Sequence, residues 1–303
     1  MKRGVLVIKK FIYSKKIAPY VFIVPFILTF LIFWIVPIIK SGMMSFQSIQ
    51  FTEVEWIGLD NYKRLLGDSQ FRLAVFNSVR YMIGTLILLI PIPMIFACFI
   101  NSKVMKGKEF FKSVFFIPAL TSVVVAGTIF RLIFGEMGSS LMNQFIGIFG
   151  LEPIKWLKND WTAFFALLTL ACWRWTGVNM LYFLSGLQSI PKELYESAQV
   201  DGANAWQKFI KISVPMLKPT IIYVLTISIY AGLSMFVESY MLWEGKNSPK
   251  NIGLTIVGYL YNQGIRKNNM GYASAVGLIL LIIVMVINVA QLTVTGLFKK
   301  EEK

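Results

Sequence analysis

The chain has 303 residues, of which 56% are apolar, 15% aromatic and 15% charged, and its net charge is +15. A soluble domain carries about 25% charged residues and could not hide this much Phe, Ile and Leu in one core, so the bulk solvent for most of this chain is lipid. The basic excess suits a membrane's anionic inner leaflet; nucleic acid is excluded as a partner, because the apolar runs leave no continuous basic face.

A helix needs about 20 predominantly apolar residues to cross the hydrocarbon. Six runs qualify, at 17–39, 73–100, 113–134, 161–187, 220–243 and 272–297. They predict an all-α integral membrane protein with six transmembrane helices, forming a single domain over 1–303. The first run is too long for a cleaved signal peptide, and no small-residue cleavage site follows it. Pro19, Pro25 and Pro37 in the first run, and Pro91 and Pro93 in the second, predict kinks, tolerated where neighbours satisfy the freed carbonyls. Between these two runs, Trp56, Tyr62, Leu65, Leu66 and Phe71 predict a short interfacial helix. The polar groups of the third run are Thr121 and Ser122.

In the fourth run Trp175, Asn179 and Tyr182 recur at i, i+4 and i+7 and share a face, with Trp173 pointing the other way. Arg174 sits near the middle of that run, where a charge costs roughly 2.5–3.5 kcal/mol, so it must face a cavity, water or an acid. In the fifth run Tyr230, Ser234 and Glu238 form an i, i+4, i+8 stripe. By helical rise Glu238 lies about 6 Å and Arg174 about 18 Å from the outer end, which argues against a direct pair. Two readings of Arg174 stay open: it meets an acidic group on a solute, such as a uronate or phosphate, or it is structural and bonds backbone carbonyls. The stretch 247–269 is polar and expected to be partly irregular.

Orientation follows from Lys and Arg near the span ends. With the N-terminus inside, the inner segments hold 17 Lys and Arg against 6 acids, and the outer segments 10 against 8. Both termini are therefore expected in the cytoplasm, and Trp56, Trp156, Trp161 and Trp243 fall near the outer boundaries, where amphipathic rings settle. Cys98 and Cys172 lie in apolar runs without a CxxC partner and read as small buried hydrophobes, giving no disulfide framework and no metal site.

The most informative stretch is the inner loop 188–219, QSIPKELYESAQVDGANAWQKFIKISVPMLKP. Pro191 suits a helix start, and 192–200 reads as a short amphipathic helix with Leu194, Tyr195 and Ala198 on one side. Asp201-Gly202 breaks it, since glycine tolerates the left-handed conformation of a sharp turn. Asn204 can cap a second helix in which Trp206, Phe209 and Ile210 share a face. Two such helices can dock into a groove on a cytoplasmic partner or lie on the bilayer as an interfacial hairpin.

This loop resembles the EAA coupling motif of bacterial binding-protein-dependent ABC importers. Glu196-Ser197-Ala198 occupies the first three positions, Asp201-Gly202-Ala203 the centre, and Ile212 with Pro215 the end. Serine at the first alanine position is a small-for-small change. The resemblance covers nearly the whole chain and points to the carbohydrate-uptake branch, of maltose-transporter type. It is carried by Pro19-Tyr20, Pro25, Pro37 and Ser45-Phe46, by Asn61-Tyr62, by Phe116-Ile117-Pro118, by Trp173 and Gly177, and by Gly271-Tyr272-Ala273-Ser274-Ala275. Where that branch often has Gly-Gly-Pro after the fifth span, this chain has EGKNSP at 244–249. Its ending, Phe298-Lys299-Lys300-Glu301-Glu302-Lys303, resembles the first permease of the usual pair rather than the second, which tends to carry a glycine-rich tail.

The resemblance implies a multi-pass permease of the bacterial cytoplasmic membrane, embedded in lipid and paired with a second permease as a heterodimer. Two ATPase subunits and an extracytoplasmic solute-binding protein complete the expected assembly. No GxxxxGK[ST] occurs in the chain: Gly107-Lys108 and Gly245-Lys246 lack the upstream glycine. The chain is therefore expected not to be an enzyme and to bind no cofactor, with ATP and Mg on the partner. Coupling would fall to Glu196, Ser197, Ala198, Asp201, Gly202, Ala203, Trp206 and Phe209. A sugar or oligosaccharide, neutral or acidic, would pass Thr121, Ser122, Arg174, Trp175, Asn179, Tyr182, Tyr230, Ser234 and Glu238, although polar residues of this kind also pack helix against helix in membranes. The alternative is an ion-coupled secondary transporter, which predicts inverted repeats and intramembrane acids; Glu238 is the acid well inside a span.

Overall fold

Residues 15–50, 53–102 and 104–296 are described by the structure, a computed structural model. In chain order the elements are α1 (Ala18–Met44), strands β1 (Gln47–Gln50) and β2 (Glu53–Trp56), α2 (Asp60–Gly67), α3 (Ser69–Leu89), α4 (Pro91–Asn101), α5 (Lys108–Leu120), α6 (Val123–Ile133) and α7 (Leu141–Gly147). There follow α8 (Asp160–Gln188), α9 (Lys192–Val200), α10 (Ala205–Met216), α11 (Lys218–Leu233), α12 (Val237–Leu242), α13 (Ile256–Tyr261) and α14 (Met270–Val294).

The chain is mostly helical, and among the described residues three helical stretches are long and apolar enough to cross a membrane: α1, the run Ser69–Asn101 through α3 and α4, and α14. Counting each bent pair as one span, α5 with α6 and α10 with α11, brings the number to five. With 29 residues α8 is long enough, at about 44 Å. It falls outside that set because its length is shared with Arg174, Thr176 and Asn179, all of them buried. A helix wrapped by protein has less need of an all-apolar surface. The basic segments that set the expected orientation include 1–14 and 297–303, which lie outside the described residues.

Three expectations change. The run 113–134 is not one helix: α5 and α6 meet at 96°, with Thr121 and Ser122 extended between them. Pro118, which has no N–H, lies three residues before the break. The run 220–243 also breaks, because Ser234 to Phe236 leave the helix before α12 begins. The all-α expectation is amended by an antiparallel ladder that pairs Gln47 with Trp56 and Ile49 with Val54. The period-two alternation of Glu53-Val54-Glu55-Trp56 is the local signal for it. The interfacial helix expected in that loop is α2, in which Leu65 is buried while Leu66 is exposed. The stretch 247–269 holds a 3-10 turn at Pro249–Asn251, α13 and a π turn at Asn262–Arg266.

Proline kinks take specific forms. In α1 the backbone widens into a π turn at Leu31–Ile35, just before Pro37. Such a turn makes room for a proline ring that would otherwise press on the carbonyl four residues earlier. In the second run the interruption is Ile90, directly before Pro91.

The described chain forms two compact units. One comprises the chain up to Gly67 with Asn262–Leu278. There Asn61 Nδ2 donates to the carbonyls of Ser45 (2.9 Å) and Gln47 (3.0 Å), and the Tyr62 hydroxyl donates to Ser45 Oγ (2.7 Å). These bonds pin α2 to the end of α1. They give a physical role to Ser45-Phe46 and Asn61-Tyr62, two of the dipeptides that carried the resemblance.

The other unit comprises Asp68–Tyr261 with the chain from Ile279 onward. Its hub is α8, which packs on α3, α4, α5 and α11. Gly177 lies so close to α5 that a Cβ there would overlap the Phe115 carbonyl, which explains glycine at that position. One buried cluster gathers Phe130, Phe134, Trp156, Leu167 and Leu170, and another gathers Met94, Met180, Phe183, Leu187 and Leu217. Trp156, expected at the membrane boundary, is instead core. Its Nε1 donates to Asn143 Oδ1 at 2.7 Å, and the Asn143 amide in turn donates to the carbonyls of Gly135, Met137 and Ile154. The stretch 135–160 thus folds onto the bundle around one asparagine. Trp56 and Trp161 are exposed. Both cysteines are free and half-buried.

Candidate functional site: a cavity between helices and an exposed two-helix loop

The loop after α8 folds as two short helices held by local bonds. Gly202 has φ +78°, the left-handed turn expected between them. Asn204 Oδ1 accepts from the Gln207 N–H at 2.9 Å while Gln207 Oε1 accepts from the Asn204 N–H at 2.8 Å, a complete capping box. The Tyr195 hydroxyl meets Ser213 Oγ at 2.9 Å, tying α9 to α10, and Lys208 Nζ donates to Gln199 Oε1 at 3.3 Å. What this frame leaves uncovered is apolar: Val200 is 88% exposed and Trp206 68%, with Leu194 and Ile210 also exposed. Glu196, Ser197, Asp201 and Gly202 are exposed, whereas Ala198, Ala203 and Phe209 are half-buried, Phe209 lying 5.7 Å from Trp206 ring to ring.

A cavity of about 360 Å³ opens between α3, α8 and α11, reaching Glu238 on α12. Five of the residues singled out in the sequence line it: Trp175, Asn179, Tyr182, Ser234 and Glu238. Trp173 lies elsewhere, 5.4 Å from the Phe130 ring. Tyr182 packs edge-on against Tyr223 at 5.2 Å. Tyr81, Thr85 and Ser228 also line the cavity and were not singled out. The signal for the first two was available as hydroxyls at i and i+4 within an apolar run. Tyr230 is 61% exposed and does not line the cavity: the α11 residues that do are Ile227, Ser228, Ala231 and Gly232, on another face of the helix. Thr121 and Ser122 sit at the α5–α6 break and do not line it either.

Asn179 has a structural partner. Its Nδ2 donates to the Leu89 carbonyl at 2.9 Å, the carbonyl to which the N–H of residue 93 would donate in an unbroken helix. Residue 93 is proline and has no N–H. The asparagine therefore closes the gap that the proline opens, as polar side chains do in membranes.

Arg174 and Glu238 form a pair, contrary to the depth argument from the sequence. Arg174 Nη1 donates to Glu238 Oε1 at 2.9 Å, with side chains 10% and 15% exposed. The break before α12 removes Glu238 from the continuous helix on which its depth was reckoned. The guanidinium also lies 5.2 Å from the centre of the Trp175 ring, within cation–π range.

A wider opening of about 920 Å³ lies among Arg131, Glu136, Lys158, Glu244 and Lys246, where α6 and α12 end. Its charges are already matched: Arg131 with Glu244, Lys158 with Glu136 at 2.7 Å and Lys246 with Glu244 at 3.3 Å. The EGKNSP segment takes part through Glu244 and Lys246. Among the described residues no three His, Cys, Asp or Glu side chains gather as a metal site requires.

Comparison with known proteins bears on this arrangement. Residues 7–299 match the family described as binding-protein-dependent transport system inner membrane component. The chain is 53% identical over 289 residues to the arabinooligosaccharides transport system permease protein AraP of Bacillus subtilis, covering 95% of this chain and 92% of that one. It is 31% identical over 276 residues to the lactose transport system permease protein LacF of Rhizobium radiobacter, covering 90% and 92%. Among solved structures, a chain of a bacterial alginate ABC transporter in complex with its alginate pentasaccharide-bound periplasmic protein superposes with a TM-score of 0.81 at 25% identity, covering 93% of this chain and 95% of that one. The chain therefore belongs to the binding-protein-dependent transport system inner membrane components: it is a membrane permease that works with a solute-binding protein.

Proposed function

We propose that this permease imports arabino-oligosaccharides, using ATP hydrolysed by two partner subunits that dock on the loop 188–219. It acts as a single permease domain with six membrane crossings, α8 supplying the fourth, and with both termini in the cytoplasm. A second, different permease completes the path. ATP and Mg sit on the ATPases, and the solute-binding protein delivers the sugar from outside.

The observation that carries the reading is the loop. Val200, Trp206 and Leu194 are exposed on two helices locked together by a capping box and the Tyr195–Ser213 bond. Exposed apolar side chains on a rigid frame suit a partner's groove, and a frame that transmits force must not yield. The sugar assignment is supported by the cavity, whose wall offers an indole face and hydroxyls at Tyr81, Thr85, Ser228 and Ser234, and by the relatives that transport saccharides.

The test is co-purification of the ATPase with the permease complex in nanodiscs, beside a Glu196→Lys/Gly202→Asp double variant. The wild type is expected to retain a stimulated ATPase and the variant to lose it. Retention of a fully stimulated ATPase by the variant would remove the loop from the coupling path.

A further inference from the structure

Among the residues lining the α3–α8–α11 cavity, Glu238 is the single charged one. Arg174 is not on that wall; it stands behind Glu238, bonded to Oε1 at 2.9 Å and stacked near Trp175. Glu238 Oε2 has no hydrogen-bond partner among the described residues, and the buried Arg174 Nε has no acceptor. The cavity therefore presents a carboxylate that its arginine holds in place without covering.

The geometry points to Glu238 as the residue that selects neutral saccharides over uronates, with Arg174 as its positioning residue. This inference rests on the reading of the cavity as the solute path. An ionised carboxylate only accepts hydrogen bonds, and bonds to a charged acceptor are about twice as strong as neutral ones. A neutral sugar offers donors at every hydroxyl. A uronate brings a second carboxylate, which has no proton to share and meets like charge between weakly polar walls, where that repulsion is poorly screened. Arg174 could have drawn such an acid in, but its guanidinium is committed to Glu238. Trp175 and the hydroxyl residues Ser228 and Ser234 on the same wall are neutral and can serve either ligand. Discrimination therefore falls to the one charged group.

The experiment uses the complete transporter in nanodiscs without its binding protein, so that the binding protein's own preference does not enter. Arabinotriose and trigalacturonate are titrated against tryptophan fluorescence, with Trp175→Phe identifying the part of the signal that comes from the cavity. Wild type is expected to bind arabinotriose at least about tenfold more tightly than trigalacturonate, the worth of one charge-assisted bond. Glu238→Gln keeps the shape and loses the charge, and is expected to cut that preference to about threefold or less. Arg174→Lys is expected to keep the preference and Arg174→Gln to lose it. The double variant Arg174→Gln/Glu238→Gln leaves no unpaired buried charge and so keeps the comparison readable should Arg174→Gln fold poorly; it is expected to match Glu238→Gln. An unchanged preference in Glu238→Gln, with the arabinotriose signal still present, overturns the selection role and leaves the solute path standing. Absence of any Trp175-dependent signal from either saccharide overturns both.

Discussion

Asn179 and Pro93 act as one feature, the amide supplying the donor that the proline lacks. Asn179→Leu leaves the Leu89 carbonyl buried without a partner, which costs about 1–3 kcal/mol. The purified protein's thermal midpoint is expected to fall accordingly, and Pro93→Ala in the same background to recover most of the loss by restoring an N–H. No recovery would mean that the Leu89 carbonyl is not the group at stake. Asn143 is a second such hub, accepting from the Ile154 N–H as well as the Trp156 indole. Asn143→Ala strands several buried groups at once and is expected to lower the midpoint by more than Asn179→Leu does. The face shared by Trp175, Asn179 and Tyr182 was legible from spacing alone. The partners were not, because Asn179 and Leu89 lie 90 residues apart and a helical wheel carries no information about the neighbouring helix. The same blindness produced the doubt over Arg174 and Glu238.

Elements whose signals are local could be read almost to the residue. The helix expected at 192–200 is α9, the turn is at Gly202, and the second helix starts behind the Asn204 cap. Breaks inside apolar runs were harder to see. Hydropathy is the same whether a chain continues or turns, so 113–134 and 220–243 each looked like one span, with Pro118 the local hint for the first. The β1–β2 ladder was missed because four-residue strands leave little pattern to read. Two expectations belong to this scale. Gly177→Val forces a branched side chain into the Phe115 carbonyl, so α8 and α5 must separate; overpacking of this kind costs about 1–3 kcal/mol or more, and the variant is expected to lose its monodisperse peak in size-exclusion chromatography. Gly202→Ala meets no neighbouring atom but must hold a positive φ, which costs about 1 kcal/mol. It is expected to assemble normally while weakening ATPase stimulation several-fold, whereas substituting the exposed Gly67, which has no positive φ and no close neighbour, is expected to have no effect on stimulation.

For the whole molecule, composition already pointed to a membrane protein, and the loop 188–219 pointed to the transport family to which the chain belongs. What composition could not reveal is that α8, which carries a buried arginine and asparagine within its length, is the hub of its unit. Its polar residues are spent within the protein: Asn179 on a broken helix, Arg174 on Glu238. Four of the nine residues expected along the solute path, Arg174, Trp175, Asn179 and Tyr182, belong to this helix. The proposed function places work in two regions of the chain, the Glu238-containing cavity for the solute and the exposed loop for the ATPase, and transport then depends on both.

The central claim is tested most directly by uptake of labelled arabinotriose into proteoliposomes containing the complete transporter, with the binding protein outside and ATP sealed inside. Accumulation that requires both ATP and the binding protein, and that is abolished by Glu196→Lys/Gly202→Asp, is the predicted result. Accumulation driven by an ion gradient without ATP, and unaffected by those substitutions, would contradict the account.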